Sequence, residues 1–189
     1  DVYDYSRVIL TVFAGMTAMM YGWLIGFLLL DDRDEQTLSA IAVTPLTKTG
    51  YLAYKIVSLM VLSLVLNLVL VPFTGLPGLN YQRFLPIAIM ASLEAPLVAL
   101  ALAAFAGNKV EGLALAKFMS LLTGVPVLPF FFGSPVVYLA GIVPFFWIGA
   151  AFDGMDRHWP EFRLIVAAGL IIHVAWLVLL LRIFNRRVE

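Results

Sequence analysis

The stretch DDRDEQTLSAIAVTPLTKTGYLAYK, residues 31–55, decides how the rest of the chain is read. It is charged at its start, partly amphipathic in its middle, and flanked on both sides by long apolar runs. Asp31, Asp32, Asp34 and Glu35 cluster where a helix N-terminus can follow, and carboxylates there complement the helix dipole. Leu38, Ile41, Ala42 and Pro45 then recur at spacings of three and four, which makes one short apolar helical face. Pro45 ends that helix, because its ring pushes Thr44 out of helical geometry. Thr47 is placed to cap a new helix running through Tyr51 and Lys55 into the next apolar run. The expected local structure is a short interfacial helix, a corner at proline, then a membrane span.

Composition sets the surroundings of this loop. The 189 residues are 62% hydrophobic and 13% charged, with a mean hydropathy of +0.99. Soluble domains carry about 25% charged residues, so this is an integral membrane protein. A net charge of zero leaves no basic surface for nucleic acid. The absence of cysteine excludes disulfides and thiolate metal sites, and His158 and His173 are too few for a His-rich metal centre. The sequence opens on Asp1 with no initiator Met, basic n-region or signal pattern, so an N-terminal truncation is expected.

Five apolar runs are long enough to read as spans: 8–30, 56–71, 84–106, 113–132 and 164–181. Gly22 and Gly26, four apart on the first, can admit a close helix neighbour. Asn67 lies near the far end of the second, and Glu94-Ala95-Pro96 near the middle of the third. Pro72, Gly75, Pro77 and Gly78 mark one turn, and the polar residues 107–112 another. Residues 133–152 are apolar enough to cross but carry Pro135, Gly141 and Pro144. If they do not cross, Arg33, Lys48, Lys55, Lys109, Lys117, Arg182, Arg186 and Arg187 share the inside, against Arg7, Arg83, Arg157 and Arg163 outside. If they do cross, the C-terminal arginines move outside. The positive-inside rule favours a re-entrant segment, and broken backbone at membrane depth is tolerated against protein or water.

No motif for catalysis emerges. There is no Gly-rich loop ending in Gly-Lys-Ser/Thr, so the chain does not bind ATP in the P-loop manner. Gly133-Ser134 is not part of a nucleophile elbow. Asp153, Asp156 and His158 read as a solvated loop rather than a metal site, since catalytic zinc needs three positioned protein ligands. Glu94 is the informative residue, because a charged side chain at mid-span costs about 2.5 kcal/mol or more and points to a pathway or pairing role. The expected partner of its carboxyl is Asn67 or a backbone carbonyl freed by Pro96. His173 reads as a packed, hydrogen-bonded residue with no second titratable group visibly paired to it.

The acidic cluster, Thr37-Leu38, Val43-Thr44-Pro45-Leu46, Tyr51-Leu52 and Lys55, in that order between two spans, resemble the first cytoplasmic loop of type-2 ABC transporter permeases. Gln36 stands where that pattern has glycine. An ordinary solvated loop between spans is the competing reading. The resemblance continues in order along the chain, more weakly within the spans, and is nearest in look to bacterial fluoroquinolone-export-type permeases. It implies an all-α polytopic membrane protein of about five transmembrane helices plus a re-entrant outer helical hairpin at 133–152, the exporter permease fold without its first helix. Residues 1–189 form a single permease domain in a prokaryotic inner membrane. It implies that 31–55 holds a coupling helix, with Glu35, Thr37, Leu38, Ile41, Thr44 and Pro45 meeting a separate ABC ATPase subunit. ATP would act only through that partner, alongside a second permease subunit and membrane lipid. The substrate would be drug-like, lipid or otherwise amphipathic, with Glu94 and Asn67 on its path and Glu94 accommodating a cationic or hydrogen-bonding part of it. The rival readings are an intramembrane lipid-modifying enzyme using Glu94 as acid or base, and a structural membrane subunit that transports nothing. The enzyme needs further polar groups facing Glu94, for which Asn67, Ser92 and His173 are the candidates.

Overall fold

A chain this apolar must satisfy its backbone hydrogen bonds within itself, and helices do so segment by segment. A computed structural model describes residues 2–35, 48–77, 79–132 and 135–188. Among them the order is α1 (Val2–Asp34), α2 (Lys48–Phe73), α3 (Tyr81–Ser92), α4 (Glu94–Phe105), α5 (Lys109–Ser120) and a 3₁₀ stretch (Leu121–Val127). There follow α6 (Leu128–Phe131), a second 3₁₀ stretch (Pro135–Ile142), α7 (Phe145–Asp153), a 3₁₀ turn (Gly154–Asp156) and α8 (Trp159–Val188). Five stretches are long and apolar enough to cross a membrane: Tyr5–Asp34, Gly50–Phe73, Tyr81–Phe105, Lys109–Phe131 and Trp159–Arg186. The protein is a multi-pass helical membrane protein.

The helices outrun the apolar runs at both ends, because hydropathy marks only their lipid-level middle. One expectation is corrected here. Asp31, Asp32 and Asp34 belong to the last turns of α1 rather than to the start of a following helix. Carboxylates at a helix C-terminus oppose the dipole, and cations offset them. Asp32 pairs with Lys55 and accepts from the Tyr51 hydroxyl at 3.0 Å, and Asp31 pairs with Lys109 at 2.6 Å. The polar turn before the fourth span is also shorter than 107–112. Asn108 caps α5 through the Glu111 N–H at 3.0 Å, and the Glu111 carboxylate accepts in return from Gly107 N–H at 2.6 Å.

The third span is the axis of the bundle. In its most apolar window 89% of residues are buried, against 44% or less in the other four spans. Its tightest neighbour is α1. A Cβ added at Gly22 would lie 2.7 Å from the Ala95 carbonyl oxygen and 2.6 Å from Val98 Cβ; one at Gly26 would lie 2.7 Å from Leu102 Cδ1. The glycine pair therefore seats α4 directly on the α1 backbone, as small residues do in membrane helices.

Polar contacts sort the helix ends. Arg7 at the start of α1 pairs with Asp156. Arg83 at the start of α3 donates to the carbonyls of Met155 and Arg157, and its guanidinium lies 4.6 Å from the Trp159 ring centroid. The opposite end gathers Asp31, Asp32, Lys55 and Lys109. The fourth span climbs from that second end toward the first, where Thr123 and Pro126 border the same small gap as Thr11 and Met16. The chain between α6 and α8 thus begins and ends toward the Arg7 end. Within it α7 has nine residues, about 13 Å at 1.5 Å each, too short to cross alone. It docks through Gly149, where any Cβ would overlap the Pro126 carbonyl.

Two matched substitutions test the α1–α4 contact. Gly22→Ala should lower stability by about 1–3 kcal/mol through overpacking. Gly15→Ala, with nothing within 4 Å of the added carbon, should be neutral or stabilising by up to about 1 kcal/mol. Thermal unfolding in detergent reads both, and equal effects would show that the close approach carries no weight.

Candidate functional site

The third span breaks in its middle. Pro96 has no N–H to return to Ser92, so the α-helical ladder fails there. Leu93 instead donates to Met90 at 3.2 Å, and the helix resumes as α4 from Glu94. The break puts Glu94 at the first position of a new helix, in the most buried part of the bundle. Glu94 and His173 are both fully buried. Their side chains meet, Glu94 Oε1 to His173 Nε2 at 2.9 Å.

This overturns two expectations. His173 does have a titratable partner, and the partner of Glu94 is not Asn67. Asn67 donates its amide to the Ser63 carbonyl one turn back at 3.0 Å, and Ser92 Oγ donates to Ile89 O at 2.7 Å. No hydrogen bond among the described residues joins either side chain to Glu94. Glu94 Oε2 is buried without a hydrogen-bond partner among the described residues, and so are Asn67 Oδ1, Ser63 Oγ and Trp23 Nε1.

The second nitrogen of His173 settles the proton count. Nδ1 lies 2.6 Å from the Gly169 carbonyl, which can only accept, so Nδ1 carries a hydrogen. The bond to Glu94 then holds one shared proton, on Oε1 or on Nε2. In both arrangements the pair carries no net charge, which is what a dry interior tolerates.

Glu94 also lines a cavity of about 270 Å³ with Leu97, Ala101 and Phe105 of α4, Met119 and Leu122 of the fourth span, and Trp176 and Leu180 of α8. Its remaining wall is the turn Val143, Pro144 and Phe145. Two indoles pin that turn: Trp176 Nε1 donates to Ile142 O and Trp147 Nε1 to Gly141 O, each at 2.8 Å. Among the described residues, Glu94 is the only ionisable side chain on the walls. Sequence reasoning counted His173 among the polar groups that could face Glu94 but did not pair the two, and it missed the cavity as their setting. The pairing had a signal, since both residues stand about midway along their spans and spans of similar length bring equal depths together.

At the charged end, Arg33 donates to the carbonyls of Ala106 at 2.9 Å and Gly107 at 2.7 Å, closing the C-terminus of α4. Of the residues expected to meet a partner, Glu35 is exposed, its N–H bonded to Asp31 O at 2.8 Å. Thr37, Leu38, Ile41, Thr44 and Pro45 lie outside the described residues. Asp153 and Asp156 are engaged by Arg157 and Arg7, and His158 is exposed.

The buried pair should behave as a unit. His173→Leu strands the Glu94 carboxyl and should cost about 1–3 kcal/mol. Glu94→Leu with His173→Leu removes both polar groups and should recover most of that loss. The check is thermal stability of the two variants in detergent; a double variant weaker than the single one would show that the groups are not coupled.

Comparison with known proteins gives this geometry a context. A family model described as "Fluoroquinolones export permease protein Rv2686c-like" matches residues 1–181. Two relatives from Mycobacterium tuberculosis, strains CDC 1551 / Oshkosh and ATCC 25618 / H37Rv, are named fluoroquinolones export permease proteins MT2760 and Rv2686c. Each is 31% identical over 194 residues, covering 99% of this chain and 75% of its own length. No solved structure matches the chain. Both matches span essentially the whole bundle, including the halves that carry Glu94 and His173, so the chain belongs to the family of Rv2686c-like fluoroquinolone export permeases.

Proposed function

We propose that this chain is the membrane-spanning subunit of an ATP-driven exporter of drug-like or other amphipathic molecules, working as a pair of permease subunits on two separate ATPase subunits. Family membership supports the transport class, and the order of residues in 31–55 supports the ATPase partner. One observation carries the mechanical part of the reading. Arg33, at the start of that loop, holds the C-terminal carbonyls of α4, the helix whose first residue is Glu94. Lys55, at the end of the loop, holds Asp32. A push on the loop therefore moves α4 along its axis, relative to the α8 helix that supplies His173. ATP binding and hydrolysis in the partner would favour one position of α4 over another through contacts that differ between the two states. Leu38 and Ile41 would form the apolar face that rests on the ATPase.

The same reading fixes a topology. The end with Lys55, Lys109 and the C-terminal arginines lies in the cytoplasm, and the end with Arg7, Arg83 and Asp156 lies outside. Residues 133–152 dip into the membrane from the outer side and return. Supporting this are the short α7 and the Arg7–Asp156 and Arg83–Met155 contacts, which put the starts of α1, α3 and α8 together. Single cysteines at positions 48 and 187 should be labelled from the cytoplasm only, and those at 80 and 156 from outside only. Finding 156 and 187 on one side would sink this arrangement.

Coupling is tested at the loop. Leu38→Asp and Ile41→Asp should leave insertion intact, since both residues lie outside the spans, but reduce export of a fluoroquinolone and retention of the ATPase subunit. An unpaired charge buried at a protein interface costs on the order of 2–5 kcal/mol, enough to cut association more than tenfold. Efflux from cells, read beside pull-down of the ATPase from membranes, measures both. Normal export by the two variants would show that this face does not dock.

A further inference from the structure

The cavity beside Glu94 can be read for what it would hold, a step that rests on the transport reading. Glu94, Leu97, Val98, Ala101 and Phe105 recur at helical spacing on one face of α4. The cavity follows that face from the middle of the bundle to Phe105, which is half exposed and marks its mouth. Glu94 borders the cavity at its inner end, its carboxyl itself fully buried behind the apolar wall. Oε1 is taken by His173, while Oε2 is buried and has no partner among the described residues. The walls are aliphatic and aromatic, with Trp176 and Phe145 facing α4. Trp176 has already committed its N–H to Ile142 O, so it offers a ring face rather than a donor.

This combination selects a ligand class. An apolar or aromatic body fills the chamber between Trp176, Phe145 and Leu97, and aromatic faces attract a cationic head. A neutral amphipath leaves Oε2 unsatisfied, and an anion meets a carboxyl in a low dielectric with nothing to pair it. A cation added to the neutral Glu94–His173 pair would itself be an uncompensated charge. Releasing the shared proton removes that difficulty. The O–H or N–H bond holding the proton breaks and the proton leaves to water. Glu94 remains as carboxylate and His173 as neutral imidazole with its Nδ1–H on Gly169. The hydrogen bond between Oε1 and Nε2, now both acceptors, is lost and replaced by the cation's charge on the carboxylate. No covalent bond to the cation forms. The elements packed against α4 carry other ionisable groups, among them Tyr21, Arg33, Lys55, Arg83, Lys117 and Arg182, and Arg33 bonds the α4 C-terminus, but among the described residues none is bonded to either member of the pair.

We propose that this cavity binds an amphipathic organic cation, its charged nitrogen against Glu94, in exchange for the proton that Glu94 shares with His173.

The test uses the full chain in lipid nanodiscs without any ATPase, corrected against empty discs. The probes are 2-naphthylmethyl-trimethylammonium and its uncharged isostere 2-neopentylnaphthalene, followed by equilibrium binding and by proton release into weak buffer. Wild type should bind the cation at least about tenfold more tightly than the isostere. It should release about one proton per cation bound. Glu94→Gln should lose both the preference and the release while keeping its fold, because the carboxamide still donates to neutral His173. Ala101→Phe fills the chamber without touching the carboxyl and should abolish binding of both probes. Equal binding of the two probes by wild type, a preference that persists in Glu94→Gln, absence of proton release, or unchanged binding in Ala101→Phe would each overturn the proposal. Charge-selective binding by a chain that exports nothing would leave the site standing and remove only the transport reading. Export of a fluoroquinolone without charge-selective binding would do the reverse.

Discussion

Inside hydrocarbon a polar group has no water to turn to, and this constraint shapes every polar contact in the bundle. The backbone answers it with helices. The side chains answer it by pairing inward: Glu94 with His173, His173 with Gly169, Trp147 with Gly141 and Trp176 with Ile142. At the helix ends the answer is ionic or charge-assisted, with Arg33 on the α4 carbonyls, Arg83 on Met155 and Arg157, and Asp32 with Lys55 and Tyr51. Apart from His173 with Gly169 and Trp147 with Gly141, these contacts join elements far apart in sequence, so satisfying polar groups also helps to fix the tertiary arrangement.

The break at Leu93 is where structure and proposed function meet. Pro96 removes one hydrogen bond from the ladder, while Leu93 keeps helical dihedrals and the Leu97 N–H bonds Leu93 O at 3.2 Å, so the span continues through the irregularity with Glu94 just after it and Arg33 at the C-terminus of α4. Gly22 and Gly26 let α1 lie close along α4, with the Val98 and Leu102 side chains seated on them. On the proposed reading α4 is the transmission element between the loop and the cavity.

Membership of a fluoroquinolone-export family places the chain among transporters. On the proposed reading, the cavity adds a physical basis for choosing cargo. Discrimination between amphipaths of equal size has to come from charge, because apolar walls accept any body that fits. On the proposed reading that choice falls to the Glu94 carboxyl beside the apolar chamber.

Five membrane spans were legible because about twenty consecutive apolar residues match the thickness of a bilayer core, a length that few soluble helices keep apolar throughout. The contact at Gly22 and Gly26 was legible from a spacing of four, and the importance of Glu94 from the cost of a charge at mid-span. Helix boundaries were not, since α1 runs on through Asp31 and Asp34 on the strength of Lys55 and Lys109, cations from other helices. Nor was the partner of Glu94: Asn67 is nearer in sequence, yet it turns back to Ser63, while His173 lies in the last span. The apolar runs and the cost of stray charges are properties of single segments, and those the sequence by itself determined. Which helix faces which is set by side-chain packing and by polar groups finding partners across the bundle, so only the tertiary structure could decide that Glu94 meets His173 beside a cavity.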